Sequence, residues 1–356
     1  NIKRFAAFLL SLITAFSVCA ALPLGLRAEV FAEGESTAAA PGTVTELSSA
    51  ADLMKLVTDP TGSFVLTKDI DMSGIDWTPA AFSGTLDGGG HTIFNLKITQ
   101  PGTAHADTLD GNAKVYDTIF AGFFSTLINA KVSNLNLRGV DIEIECSSHC
   151  FVGLMAGYMK NSQISACSIN DARGTLISTI QPDPQDPRTS CNAGIGGIVG
   201  FASSGTIRDC SADTVLIFED YCSRNLKVEE FMGGALSCGA ASILDCNITI
   251  DGYDECRGYV HNGGLVGMFY QFDKEADIDT INGCAVNGMI TFFEDNPDRR
   301  AYCEPFIGET MTWPYLGQNA QNFIRNETMD YYSVLSPEKC QTPSVTETVL
   351  PADCTS

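Results

Sequence analysis

The sequence predicts an all-β fold, a parallel solenoid in which short strands stack coil upon coil. Three observations carry the prediction. A glycine-centred segment recurs five times, at "AGFFS" (121–125), "VGLMA" (152–156), "GGIVG" (196–200), "GGALS" (233–237) and "GGLVG" (263–267). A second segment trails each copy, at "VSNLNL" (132–137), "ISACSI" (164–169), "IRDCSA" (207–212), "ILDCNI" (243–248) and "INGCAV" (281–286). The composition is turn-rich and charge-poor, with 33 glycines in 356 residues and 18% charged against 44% hydrophobic side chains. That balance suits many short strands better than a helical bundle or a disordered polymer.

The first element is a leader. Lys3 and Arg4 precede the apolar run "FAAFLLSLITAFSVCAALPLGL", and small residues follow at Ala28 and Ala32. This is the three-part pattern of a secretory signal peptide, ending at residue 32. The run approaches spanning length, so a membrane anchor is the rival reading; cleavage-type residues directly after it favour the signal, and no later segment has the length and apolarity to span. Cys19 is a poor lipidation site because bulky Val18 precedes it. The chain opens on Asn1 rather than Met, which reads as a piece of a longer chain. Losing the leader removes Cys19 and leaves 13 of the 14 cysteines in an exported, oxidising setting. An odd number leaves one thiol unpaired or bridged to another molecule.

Residues 33–44 read as a linker. Within "SSAADLMKLV" (48–57), Ser49 stands three residues before Asp52, a capping box ahead of an apolar face. It predicts a short helix covering the N-terminal end of the solenoid, where strand edges otherwise lie open. The repeats come next. Gly122, Gly153, Gly197, Gly234 and Gly264 align as the shared glycine, and 12 to 14 residues separate the first four of them from Leu135, Cys167, Cys210 and Cys246; the last copy stretches to 20 before Cys284. "IFNLKI" (93–98) reads as an earlier copy, placing Leu96 in the same series. Units of this length signal a solenoid or propeller. Stacked in parallel, ~4.8 Å apart, the units would align Leu96, Leu135, Cys167, Cys210, Cys246 and Cys284 as an interior ladder. The glycines mark bends without room for a side chain. A phosphate-loop reading fails, because "GIGGIVG" lacks the final glycine of G-x-G-x-x-G and no helix follows.

At these residues the chain resembles the GLUG-repeat proteins, named for Gly-Leu-hydrophobic-Gly, through "GGLVG" and "GGIVG". The resemblance extends upstream through "ADLMKLV" (51–57), "FVLTKDIDMSGIDWTPAAFSGTLDGGGHTIFNLKI" (64–98) and "FAGFFS" (120–125), and covers residues 45–335. It implies a right-handed parallel β-helix, of the kind found in exported or surface-attached adhesin-type proteins, and it does not imply an enzyme. The reading is one domain of six or seven coils, ~30 Å tall at the interstrand spacing. Residues 336–356 are a polar tail.

Of the remaining cysteines, most fall between the repeated segments, where loops leaving successive coils would sit close together. The expected bridges are Cys150–Cys191 and Cys222–Cys256, with Cys340–Cys354 in the tail. "CSSHC" offers Cys146, His149 and Cys150 as zinc ligands without a fourth, so disulfide chemistry is preferred. Asp69, Asp71 and Ser73 in "DIDMSGID" begin like a calcium loop but lack the acidic twelfth position, where Ala80 stands. Otherwise the sequence implies no cofactor. Asp87 and His91 in "LDGGGHTI" read as a tight turn rather than a catalytic pair.

The net charge of −22 repels phosphate backbones and argues against nucleic acid as a partner. The favoured function is a secreted or cell-surface adhesin-like module without covalent chemistry. It would hold a glycan or a host or cell-surface protein on loops carrying Tyr221, Tyr253, Asp254, Glu255, Tyr259 and Tyr302. Tyrosines stack on sugars and keep a polar end. A polysaccharide lyase or glycoside hydrolase is the alternative, since the acidic loops could supply two carboxylates. A structural spacer of a larger surface protein is the third. Oligomeric state is not legible.

Overall fold

The structure, a computed structural model, describes residues 43–102, 118–180, 190–221, 227–256, 259–270, 279–294, 301–304, 306–310, 315–316 and 329–333. Its regular structure is nearly all β, in four parallel sheets. The chain visits them in a fixed order, so we call them walls 1 to 4. One pass runs through Cys150–Gly153, Ala156–Lys160, Ser162–Ser165 and Ser168–Ser178. The next runs through Ser190–Gly196, Val199–Ala202, Gly205–Arg208 and Ser211–Asp220. Each strand pairs in parallel with its counterparts one pass away, which is a β-helix-like solenoid.

Register follows from alternation. On wall 3 the inward positions Leu86, Val132, Ile164, Ile207, Ile243 and Ile281 lie directly above one another, and all are fully buried. Each such aliphatic side chain contributes roughly 1.5–3 kcal/mol of burial. A slip by one residue would turn the whole column to water. At the bend into wall 4 stand Leu135, Cys167, Cys210, Cys246 and Cys284, all buried. The stacking is direct: Ser168, Ser211, Asn247 and Ala285 donate their backbone N–H to the carbonyls of Leu135, Cys167, Cys210 and Cys246 at 2.8–3.0 Å. Each thiol also donates to the carbonyl two residues earlier, at 3.1–3.4 Å.

The residue before each of these turns the bend in the left-handed region. Asn134, Ala166, Asp209, Asp245 and Gly283 have φ between 52° and 66°. Asn, Asp and Gly tolerate that region, whereas a Cβ such as Ala166's costs about 1–2 kcal/mol. Ala166→Gly is therefore expected to gain about 1 kcal/mol, seen as a higher denaturant midpoint at unchanged m-value. A lower midpoint would contradict this account of the bend.

Two sequence alignments shift by the width of a turn. Leu96 is buried but does not join the column of Leu135. Wall 4 pairs Leu137 with Ile93 and Asp141 with Lys97, which sets Leu96 level with Val140, and it is His91 whose carbonyl receives the N–H of Asn136. "IFNL" imitates "VSNL" because the same turn chemistry recurs one bend later, with Asn95 and Gly139 both at φ 59°. The glycines shift likewise. Gly153 pairs with Gly196, which pairs with Gly233, which pairs with Gly263, so Gly122 and Gly153 belong to that column. Gly197, Gly234 and Gly264 occupy the next position, inside the turn.

At the N-terminal end lie two single-turn helices, Ala50–Leu53 and Lys55–Thr58. Ser49 Oγ accepts the N–H of Asp52, and the Asp52 carboxylate accepts in return from Ser48 N and Ser49 Oγ. Lys55 and these donors hold Asp52 well below the usual carboxylate range. Leu53 and Leu56 bury their side chains. Trp77 ties the opening segment to the first glycine turn, donating Nε1–H to the Phe123 carbonyl at 2.7 Å and stacking on its ring.

Candidate ligand-binding face

Among the described residues between repeats, long stretches are strand rather than loop, which corrects the sequence reading there. Wall 4 carries long strands, including Ser211–Asp220, Asn247–Cys256 and Ala285–Glu294. In "NITIDGYDEC" the alternation is complete: Ile248, Ile250, Gly252 and Asp254 are buried, while Asp251 and Tyr253 are exposed and Thr249 and Glu255 intermediate. Acidic and glycine residues at inward positions disguise the pattern.

The outer face of wall 4 is the candidate site. Tyr253 is 38% exposed at its centre, with Ile217 and Thr291 level with it on the neighbouring strands. Val215 and Met289, both exposed, flank Asp251 in the adjacent column. Glu219 stands directly opposite Glu255, a like-charge pairing that favours a positive or hydrogen-bond-donating ligand. Tyr221, half exposed, donates its hydroxyl to Glu219 Oε2 at 3.1 Å. Partial burial, then Glu255 and Glu219, push the Tyr253 phenol above its ordinary value. It stays a neutral donor on a rigid, aromatic and acidic surface.

The other expected site residues scatter. Asp254 points inside, so it cannot touch a ligand on this face; its Oδ2 accepts from Asn262 Nδ2 at 2.9 Å. Burial, together with nearby Asp220, raises its carboxyl to about 7. Tyr259 opens the strand Tyr259–Gly263 on wall 1, level with Glu229. Tyr302 is level with His261 on that wall; its side chain lies outside the described residues. Cys150 is a free thiol. It is level with Ala193, two residues along from Cys191, a Cα separation of roughly 8 Å and beyond bridging reach. The expected Cys150–Cys191 bridge is therefore not made. Cys222, Cys340 and Cys354 lie outside the described residues, as does the side chain of Cys256.

The remaining polar motifs are held by the chain itself. Asp71 accepts from Ser73 N, Ser73 Oγ and Asn95 Nδ2, and Asp69 from Thr92 N. Asp87 accepts from Gly89 N and Asn134 Nδ2, a turn tied to the next pass. His149 Nδ1 accepts from Asn192 N. Among the described residues no group of three His, Cys, Asp or Glu is placed to hold a metal.

Sequence reasoning missed a second stack outside the main core. Walls 1 and 2 fold back on each other at the glycine turn, and rings fill the gap between them. Phe120 meets Tyr158, Phe151 meets Phe201, and Phe231 stacks on His261. The stack turns polar at His261, which is 2% exposed. Its Nε2 lies 2.7 Å from Glu229 and its Nδ1 2.8 Å from Glu309. Burial alone would depress this imidazole; the two carboxylates outweigh it and raise its pKa. The signal was an outward aromatic two residues before the glycine, as in "CFVG" and "EFMG", but Glu309 is too distant in sequence to be associated with it.

No protein-family model and no curated protein sequence matches the chain. Among solved structures it is similar to a Bacteroides ovatus protein described, provisionally, as an immunoglobulin A1 protease. The two share 17% identity over 75% of this chain and 84% of that one, with a TM-score of 0.39. Likeness at that level carries no argument about chemistry.

Proposed function

We propose that this chain is an exported or cell-surface adhesin-like module of the GLUG-repeat type, a right-handed β-helix that binds its ligand without covalent chemistry. Six four-walled passes lie between residues 119 and 333, and wall 3 carries three further strands before them, Thr45–Leu47, Ser63–Leu66 and Thr85–Asp87, so the stack is longer than the six or seven coils expected from the repeats. The observation that carries the function is the outer face of wall 4, where Tyr253, Val215, Met289 and Tyr221 are exposed beside Glu219 and Glu255. An aromatic platform with carboxylate acceptors suits a glycan's apolar face and hydroxyls, or a protein's basic side chains. The charge of −22 disfavours acidic polysaccharides and nucleic acid alike.

The test is a glycan and matrix-protein array probed with the full chain, Tyr253→Ala and, as control, Gln163→Ala on wall 3. Tyr253→Ala is expected to weaken the bound ligand at least about tenfold, the range of an interface hot spot, with an unchanged melting temperature, while Gln163→Ala binds normally. Equal binding by both variants would remove wall 4 from the proposal. Release of reducing or unsaturated sugar ends from a polysaccharide panel would replace the adhesin reading with a hydrolase or lyase. Binding to nothing on the array would favour a spacer.

A further inference from the structure

Seven cysteines among the described residues carry free, buried thiols, and their geometry divides them. Cys167, Cys210, Cys246 and Cys284 stand above one another on consecutive passes. In-register parallel strands hold such side chains ~4.8 Å apart with parallel Cα–Cβ bonds. A disulfide needs Cβ atoms about 3.5–4.5 Å apart, so closing one would squeeze two coils together. Cys238 sits apart, on the outer face of wall 2, level with Phe201 and Met268.

Cys146 and Cys150 have a different relation. They lie in one pass, four residues apart, on either side of the bend from wall 4 to wall 1. Cys146 ends the strand Asp141–Cys146, on the inward side shared by Ile142 and Ile144. Cys150 opens the strand Cys150–Gly153, on the inward side shared by Val152. Both walls face the same core, and only Ser147, Ser148 and His149 separate the two inward positions. Both residues belong to the core, each at most 2% exposed. No movement of one coil against another is needed to join them.

We propose that Cys146 and Cys150 are a disulfide-forming pair that closes the corner around Ser147, Ser148 and His149 when the chain folds in the presence of a disulfide oxidant. The thiolate of one cysteine attacks a sulfur of the oxidant disulfide and expels one thiolate, giving a mixed disulfide. The second cysteine's thiolate then attacks the protein sulfur of that bond and expels the other. Two protein thiols become one disulfide, the oxidant becomes two thiols, and the two protons end on the expelled sulfurs. Burial suppresses the attacking thiolate, so the exchange belongs to folding, before neighbouring passes close over the corner. The inference is independent of the proposed ligand.

The test is peptide mapping without reduction, after free thiols are blocked with iodoacetamide in denaturant. Full-length chain is refolded from the reduced state with oxidised and reduced glutathione, and in parallel exported to a bacterial periplasm and purified folded, so that poor refolding does not leave the question open. The expected result is a Cys146–Cys150 link in most molecules, with Cys167, Cys210, Cys246 and Cys284 alkylated. Folded reduced protein should acquire the link at least tenfold more slowly than refolding protein. Cys150→Ser should abolish the link and leave Cys146 alkylated. Folded protein from both routes with Cys146 and Cys150 alkylated would overturn the proposal, as would Cys150 linked to Cys191 or Cys167 linked to Cys210.

Discussion

Gly233→Ala is expected to cost about 3 kcal/mol or more and to lower the melting temperature by roughly 4–6 °C, on the usual scaling for a chain of this size. The cause is a backbone approach that nothing flexible relieves. A Cβ on Gly233 would lie 2.0 Å from the Leu236 carbonyl oxygen and 2.7 Å from the amide of Gly267. The first atom belongs to the same turn and the second to the next pass, so relief in one direction worsens the other. Overpacking of an ordinary core costs about 1–3 kcal/mol, and contact with two backbones exceeds it. Gly174→Ala is the control. Its Cβ would meet the ends of Ile195, Leu154 and Leu216 at 3.0–3.5 Å, and mobile side-chain tips can give way, so a loss below about 1 kcal/mol is expected. Thermal melts of both variants check the contrast; equal losses would refute the tight turn.

The second large effect is a stability that falls as pH rises. Asp254 is buried and its carboxyl is raised to about 7, first by burial and then by Asp220. A group with a folded pKa above its unfolded value adds stability that is complete below the unfolded pKa, near 4, and is lost as pH rises through the folded one. The window is therefore pH 4 to 7, and the loss is on the order of 2–4 kcal/mol for a shift of this size. His261, also raised, acts in the same direction, losing stability as pH climbs above its ordinary value near 6.5. Asp52, Asp69 and Asp71 are lowered and act oppositely, below pH 4. Asp254→Asn keeps an oxygen to accept from Asn262 and cannot ionise. It should flatten the profile between pH 4 and 7 and raise stability at pH 8 by a few kcal/mol. Parallel pH profiles for the variant and the parent chain would show that Asp254 stays ionised in the fold.

The stacking was legible because it repeats a local rule. "Ile-x-x-Cys" carries an inward aliphatic, a left-handed turn and a buried residue, and Asn, Asp or Gly, which tolerate that backbone, holds the turn in four of the five passes. The errors came where one rule fits two registers. Paired glycines allow the turn to slide by one residue, so Gly153 was set against Gly197 instead of Gly196. Asn95 repeats the turn of Asn134 one bend later and drew Leu96 into the wrong column. The long wall 4 strands read as loops in the sequence because Gly252 and Asp254 sit where a strand places apolar residues, although Ile248 and Ile250 begin the same alternation. Tyr221 and Tyr253 were found for their chemistry, and only the strand reading separates outward Tyr253 from inward Asp254. The bracket of Glu229, His261 and Glu309 joins three passes and has no local signature.

The central claim is that residues far apart in sequence lie in one vertical column. On the outer side of wall 3, Lys131, Gln163, Thr206 and Ser242 are level in turn, and Thr280 donates its N–H to Ser242 Oγ from the next pass. Four strand spacings separate Lys131 from Thr280, ~19 Å. Pulsed electron paramagnetic resonance between spin labels on unnatural side chains at these two positions reads that distance directly, leaving the native thiols untouched. One narrow distribution near that value is expected. A distance twice as long, or a broad spread, would contradict the stacked register on which the binding face, the pH profile and the corner thiols all depend.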